Sequence, residues 1–118
     1  MQLLPKRQIK NQYIDPEVNE AMTPEIFNQK IWSNSTDPEF LKRTCQSALE
    51  RSGFTILGFM EHHFQPQGYT AIWLLGESHL ALHTFPENAK SYLELSSCSK
   101  EKFVRFLELH AESQSQFA

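Results

Sequence analysis

FTILGFMEHHF (residues 54–64), QPQG (65–68), YTAIWLLG (69–76) and ESHLALHTFPE (77–87) make up the stretch that decides the fold. Both long runs are rich in Ile, Leu, Phe, Trp, Tyr and Thr, residue types that fit a pleated, half-buried surface. The QPQG between them supplies the Pro and Gly of a turn, so the two runs predict a hairpin. Residues 78–85 alternate again, Pro86 interrupts, and SYLELS (91–96) predicts a further strand, giving three or four strands in succession.

Helices flank this block. Upstream, Asp37 is a good N-cap, Pro38 suits the first helical position, Leu41, Cys45, Ala48 and Leu49 recur at helical spacing, and Gly53 ends the segment. Downstream, Ser99 caps a second helix with Phe103, Phe106, Leu107 and His110 on one stripe, and SQSQFA (113–118) is a polar tail expected to fray. Before the first helix, EIFNQKIW (25–32) puts Ile26, Asn28 and Lys30 on one side of a strand and Phe27, Gln29 and Ile31 on the other. This imperfect alternation is what an edge strand carries. The order predicts an α+β fold, a two-layer sandwich in which an antiparallel sheet holds two helices on one face. Residues 1–22, with Pro5 and Pro16 among scattered charges, show neither period and read as an N-terminal arm or extension, leaving 23–118 as a single domain.

A length of 118 residues fits one domain, and a 40% hydrophobic composition with nine phenylalanines supplies its core. The net charge of -3, with only Lys6, Arg7 and Lys10 clustered, offers no basic patch to a phosphate backbone, so nucleic acid is not an expected partner. Cys45 and Cys98 show no CxxC spacing and no disulfide density, which suits a reducing, cytoplasmic compartment. MQLLPKRQ at the N-terminus lacks the apolar core of a secretion signal, and no run approaches the roughly 18 apolar residues of a membrane span. Neither secretion nor membrane insertion is expected.

Chemistry concentrates in residues 76–87, where Glu77, Ser78, His79, His83 and Glu87 crowd a strand-like stretch that would ordinarily avoid them. Burying polar groups costs free energy unless each has a partner or a task. A hydrolase reading of Ser78 wants GxSxG on a strand-to-helix elbow, and no helix follows this serine. A metal reading sets His79 and His83 two alternations apart on one face, with Glu77 beside them and His62 and His63 on the neighbouring strand. Imidazoles on sheets are more often hydrogen-bonded structural groups, and no metal is expected. Taken singly, Phe64 reads as core, Cys98 as a small buried hydrophobe and Glu87 as a solvated carboxylate.

Spacing changes that balance. Glu77-Ser78-His79 is followed by Leu82-His83-Thr84-Phe85-Pro86-Glu87 and then by Cys98, with steps of five from Ser78 to His83 and twenty from Ser78 to Cys98. Phe64, Pro66, Gly68 and Thr70 precede them. Jointly, residues 62–98 resemble the small prokaryotic S-adenosylmethionine decarboxylases, whose signature runs HxFxPxGxS, ESH, IHTWPE and a cysteine, with Thr70 here in place of the serine. The resemblance implies a pyruvoyl-dependent decarboxylase of S-adenosylmethionine in polyamine (spermidine) biosynthesis, with a proenzyme that cuts itself between Glu77 and Ser78. Ser78 Oγ would attack the Glu77 carbonyl to form an ester, and elimination would leave a dehydroalanine that hydrolyses to the pyruvoyl cofactor, the ketone that takes the substrate amine as a Schiff base. By the same resemblance Thr70 assists processing, His83 accepts the Cα proton, Cys98 is the proton donor in decarboxylation, Phe64 stacks on the adenine and Glu87 binds the ribose hydroxyls.

The resemblance also implies a homodimer of processed protomers, an expectation strengthened by a sheet edge left to be covered where the family has a further strand. Departures cluster around the motif: Phe85 replaces a tryptophan, Asn88-Ala89-Lys90-Ser91-Tyr92 replaces a run of small residues, and Ser96-Ser97-Cys98-Ser99 replaces an apolar-Thr-Cys-Gly ending. A pyruvoyl group is generic for α-decarboxylation, so ornithine or arginine is the alternative substrate. A non-cleaving, non-enzymatic homologue acting as a partner subunit is the third reading.

Overall fold

Alternation over the central block becomes a four-strand meander, and the chain wraps a helix from one of its edges to the other. A computed structural model describes residues 23–114; the expected arm at 1–22 and the tail from 115 lie outside the described residues. The elements are β1 (Phe27–Ser33), α1 (Pro38–Arg51), β2 (Ile56–His63), β3 (Tyr69–Leu75), β4 (Ser78–Phe85), a 3-10 turn (Pro86–Asn88), β5 (Lys90–Ser97) and α2 (Lys100–Gln114). Spatial order in the sheet is β1-β5-β4-β3-β2, and every neighbouring pair is antiparallel. β1 is therefore an edge strand, as its imperfect alternation predicts.

Local chemistry sets the helix ends. Asp37 Oδ1 accepts from the Glu39 backbone N–H at 3.2 Å, Pro38 opens α1, and Gly53 leaves it at φ 95°, a left-handed conformation that glycine adopts without steric cost. Ser99 caps α2, its carbonyl accepting from Phe103 N–H and its hydroxyl from Lys102 N–H. Two expectations need correction here. Ser113 and Gln114 are helical rather than frayed, because Ser33 Oγ donates to Gln114 Oε1 at 2.6 Å and Ser113 Oγ donates to the His110 carbonyl. On α2, Leu109 joins Phe103, Phe106 and His110 in the buried stripe while Leu107 is only partly buried, since the helix packs against α1 as well as against β5 and β1.

The core lies between the helices and one face of the sheet. Tyr69, Ala71, Trp73 and Leu75 from β3, Leu80 and Leu82 from β4, and Leu93 and Leu95 from β5 are all buried against Leu41, Cys45 and Leu49 of α1 and Phe106 and Leu109 of α2. Trp73 keeps its ring nitrogen satisfied by donating to Gln46 Oε1 at 2.8 Å. Among the described residues no helix covers the other face, here called the open face, and it carries large exposed apolar side chains: Met60 is 74% exposed, Trp32 61% and Leu74 55%. An apolar sheet face of this kind marks an interaction surface.

Candidate active site

The β3–β4 hairpin builds the first group. Leu75 pairs with Ser78, so Gly76 and Glu77 form a two-residue turn, and Glu77 carries φ 56° in the left-handed region where a Cβ is sterically disfavoured. Ser78 begins β4 with its side chain on the buried, helix-facing side at 8% exposure. β4 and β5 run in register with His79 opposite Ser96, which brings the end of β5 beside the head of β4. Cys98, just past β5, consequently reaches the turn, and its Sγ donates to Glu77 Oε1 at 3.4 Å.

The second group forms at the far end of the same strands. Thr70 and His83 are cross-strand partners on the open face, and Thr70 Oγ1 lies 2.9 Å from His83 Nδ1. Phe64 follows β2 and meets His62 edge-on with ring centroids 4.5 Å apart; its N–H donates to the Gly68 carbonyl. Gly68, at φ 117°, lets the loop fold back close to Phe64, where an added Cβ would lie 3.4 Å from Phe64 Cβ. Glu87 sits exposed in the 3-10 turn that continues β4.

The candidates thus fall at two places, Glu77, Ser78 and Cys98 at one end of the strands and the Thr70–His83 pair toward the other, with Phe64 and Glu87 in the turns beyond that second end, and the structure does not merge the two within one chain. Ser78 and His83 are five residues apart on one strand, which at the usual rise is about 17 Å. Because five is odd, their side chains also leave opposite faces of the sheet, Ser78 toward the helices and His83 toward the open face.

Neighbours of His83 escaped the sequence reading. Tyr92 stands directly opposite it on β5, rings inclined by 18° with centroids 6.2 Å apart, and Trp32 on β1 packs against the far side of Tyr92 at 5.5 Å. The Tyr92 hydroxyl donates to Glu94 Oε1 at 2.9 Å. Hydrogen bonds from Tyr92 and then Asn28 hold the Glu94 carboxyl below its ordinary range. Counting the hairpin register across residues 86–89 is the signal that would have paired Tyr92 with His83. The remaining four histidines lie elsewhere: His62 on Phe64, His63 on Tyr69, His110 on Phe106 in the core, and His79 on the open face near Glu94. Among the described residues no three His, Cys, Asp or Glu side chains group in a way that could hold a metal ion, and no helix is long and apolar enough to cross a membrane.

Residues 32–115 match the family model described as S-adenosylmethionine decarboxylase. The chain belongs to that family. Among curated relatives, the S-adenosylmethionine decarboxylase proenzyme of Prochlorococcus marinus (strain MIT 9313) is 42% identical over 65 residues, covering 55% of this chain and 52% of the relative. The proenzyme of the same name from Brevibacillus brevis is 42% identical over 64 residues, covering 54% of this chain and 48% of its own. The chain spans about half the length of the curated relatives it matches. The crystal structure of the adenosylmethionine decarboxylase from Aquifex aeolicus superposes with a TM-score of 0.63 over 76% of this chain and 78% of that one, at 21% identity. That likeness extends the family assignment to the fold: an α+β sandwich with both helices on one face of the sheet.

Proposed function

We propose that this chain is the proenzyme of a pyruvoyl-dependent decarboxylase of S-adenosylmethionine, acting in polyamine biosynthesis in the cytoplasm and processed between Glu77 and Ser78. The observation that carries the reading is the Glu77–Ser78 peptide: it closes a two-residue turn, its carbonyl belongs to a non-glycine residue at φ 56°, and Cys98 Sγ stands 3.4 Å from the Glu77 side chain. A residue held in the left-handed region stores about 1–3 kcal/mol, which cleavage releases. The free thiols of Cys45 and Cys98 suit a reducing compartment.

Ser78 Oγ adds to the Glu77 carbonyl carbon and the peptide nitrogen leaves as an amine, so Glu77 is carried as an ester on Ser78. His83 then takes the Ser78 Cα proton; the Cα–Cβ double bond forms, the Cβ–Oγ bond breaks, and Glu77 departs as the carboxylate that ends residues 1–77. Water replaces the nitrogen left on residue 78, which is lost as ammonia. The residues around this position fit a pyruvoyl group: Ser78 is paired with Leu75 of β3, the next residue, His79, is paired with both β3 and β5 and would hold the new chain end in place after the cut, and the Cys98 thiol is at hand as a proton donor. The chemistry such a group supplies is an electron sink beside the carbon that loses carbon dioxide. Cys98 Sγ returns a proton to that carbon, the exposed ring of Phe64 stacks on the adenine, and the Glu87 carboxylate accepts from the ribose diol.

His83 can act only if its Nε2 is unprotonated, so Nδ1 carries the hydrogen and donates to Thr70 Oγ1 across the 2.9 Å contact. It also needs the Ser78 Cα–H within reach, and its own is far too distant; with the Ser78 side chain turned to the helices, the Cα–H lies near the plane of the sheet and tips toward the open face, from where a second copy can approach it. The working unit we infer is two copies stacked open face on open face about a two-fold axis, the Ser78 end of one over the His83 end of the other. Five strands about 4.8 Å apart and about 25 Å long give roughly 600 Å² per copy, or roughly 1,200 Å² in total, at the lower bound of stable interfaces. Trp32, Met60, Ile72 and Leu74 supply the apolar surface for it.

Denaturing mass spectrometry of the purified protein tests the reading. Two pieces, residues 1–77 and a 78–118 piece with a blocked amino end, are the expected result, and Ser78→Ala abolishes the cut. An intact 13.7 kDa chain after long incubation would instead favour a non-cleaving partner subunit. Carbon dioxide release from S-adenosylmethionine, ornithine and arginine in parallel then identifies the substrate.

A further inference from the structure

We propose that Tyr92 is a positioning residue for His83, holding the imidazole plane so that Nε2 is presented to the Ser78 Cα proton during elimination; this rests on the processing function proposed above. The ring of a histidine turns about a broad, soft torsion, and one hydrogen bond at Nδ1 leaves its tilt open. On β3, Thr70 supplies that hydrogen bond; on β5, Tyr92 lies directly opposite and nearly parallel, 18° from the imidazole plane at a centroid separation of 6.2 Å, within the offset-stacked range for aromatic pairs.

Tyr92 is itself fixed from two sides. Its hydroxyl donates to Glu94 Oε1, two residues along the same face, and Trp32 packs on it from the edge strand. Trp32, Tyr92, His83 and Thr70 are successive cross-strand partners, so this row of supports crosses β1, β5, β4 and β3 in register. The restraint bears on one step only. Ester formation uses Ser78 Oγ and the Glu77 carbonyl, whereas elimination moves the Ser78 Cα proton to His83 Nε2, forms the Cα–Cβ double bond and expels the Glu77 carboxylate. A loosened imidazole therefore lets the chain reach the ester and stalls it there.

Stalling is visible without any measurement of decarboxylation. An ester chain has the mass of the uncut protein, and hydroxylamine splits it at residue 77, whereas it leaves an ordinary peptide bond alone. Wild type, His83→Ala, Tyr92→Leu and Tyr92→Phe are each collected in the wild-type size-exclusion peak and followed by mass spectrometry with and without hydroxylamine. Tyr92→Leu keeps apolar bulk for the open face and removes the ring; it should cut at least about ten-fold more slowly and accumulate the hydroxylamine-labile chain, the outcome also expected of His83→Ala. Tyr92→Phe keeps the ring and should cut within a few-fold of wild type. Wild-type speed in Tyr92→Leu overturns the assignment and leaves the processing reading intact. Slow cutting without a labile chain, a Phe variant no better than Leu, or loss of the wild-type oligomer peak by Tyr92→Leu also overturns it, the last in favour of an interface role. An uncut wild type overturns the processing reading and this assignment with it.

Discussion

Co-expressing Ser78→Ala chains with His83→Ala chains should restore cleavage that neither variant performs alone. Ser78 and His83 occupy one strand five residues apart, about 17 Å by strand rise, and leave it on opposite faces, whereas proton transfer needs heavy atoms within about 3 Å. In the dimer proposed above, the Cα proton of one copy's Ser78 would meet the imidazole of the other. A mixed dimer then contains one complete pair, the Ser78 of the His83→Ala chain facing the His83 of the Ser78→Ala chain, and one pair lacking both members. If equal amounts associate at random in two-fold dimers, about half are mixed, so about half of the His83→Ala chains and about a quarter of all chains are cut. Distinct affinity tags on the two chains let mass spectrometry assign every fragment. All cut chains should carry the His83→Ala tag. Wild-type cleavage with no cleavage in the mixture would refute the two-copy site, because a site complete within one chain cannot be rebuilt from these two variants.

Three further outcomes follow from single residues. Leu74→Glu replaces a half-exposed side chain on the open face, so the stability of the isolated chain should change by no more than about 0.5 kcal/mol, while sedimentation should show loss of the proposed dimer and mass spectrometry an uncut chain. His110 is 6% exposed, its Nε2 has no hydrogen-bond partner among the described residues, and burial holds its pKa below the ordinary 6.5. The unfolded chain then binds a proton that the folded one refuses, so stability is full above about pH 6.5 and falls by at most about 1.4 kcal/mol per unit as the pH drops toward the folded value; urea titrations of His110→Phe should lack this component. Burial pushes the Cys45 thiol up to about 12, so a thiol reagent at pH 8 should label Cys98 in the native protein and reach Cys45 only after unfolding. Rapid native labelling of both would show α1 to be far more open than its packing indicates.

Most of the fold was legible because each element announces itself locally: Asp37-Pro38 and Ser99 mark helix starts, Gly53 a stop, and period-two alternation the strands from 56 to 97. What local signals missed depends on how elements meet. Leu109 rather than Leu107 faces the core because α2 leans on α1, and Gln114 is ordered by a hydrogen bond to Ser33, 81 positions away. Tyr92 lies opposite His83 only because the turn after Phe85 closes with Ala89 at φ 55°, a register that residue types alone leave open. The division of the site is a different case, since the odd step of five from Ser78 to His83 was in plain view and already implied opposite faces. Read as a cluster, those polar groups are an expensive defect in a sheet. Read as two half-sites at opposite ends of one strand, they would have a reason to be spaced so far apart in the proposed dimer: a two-fold axis through the middle of the open face would exchange the ends, and one such operation would complete both sites at once.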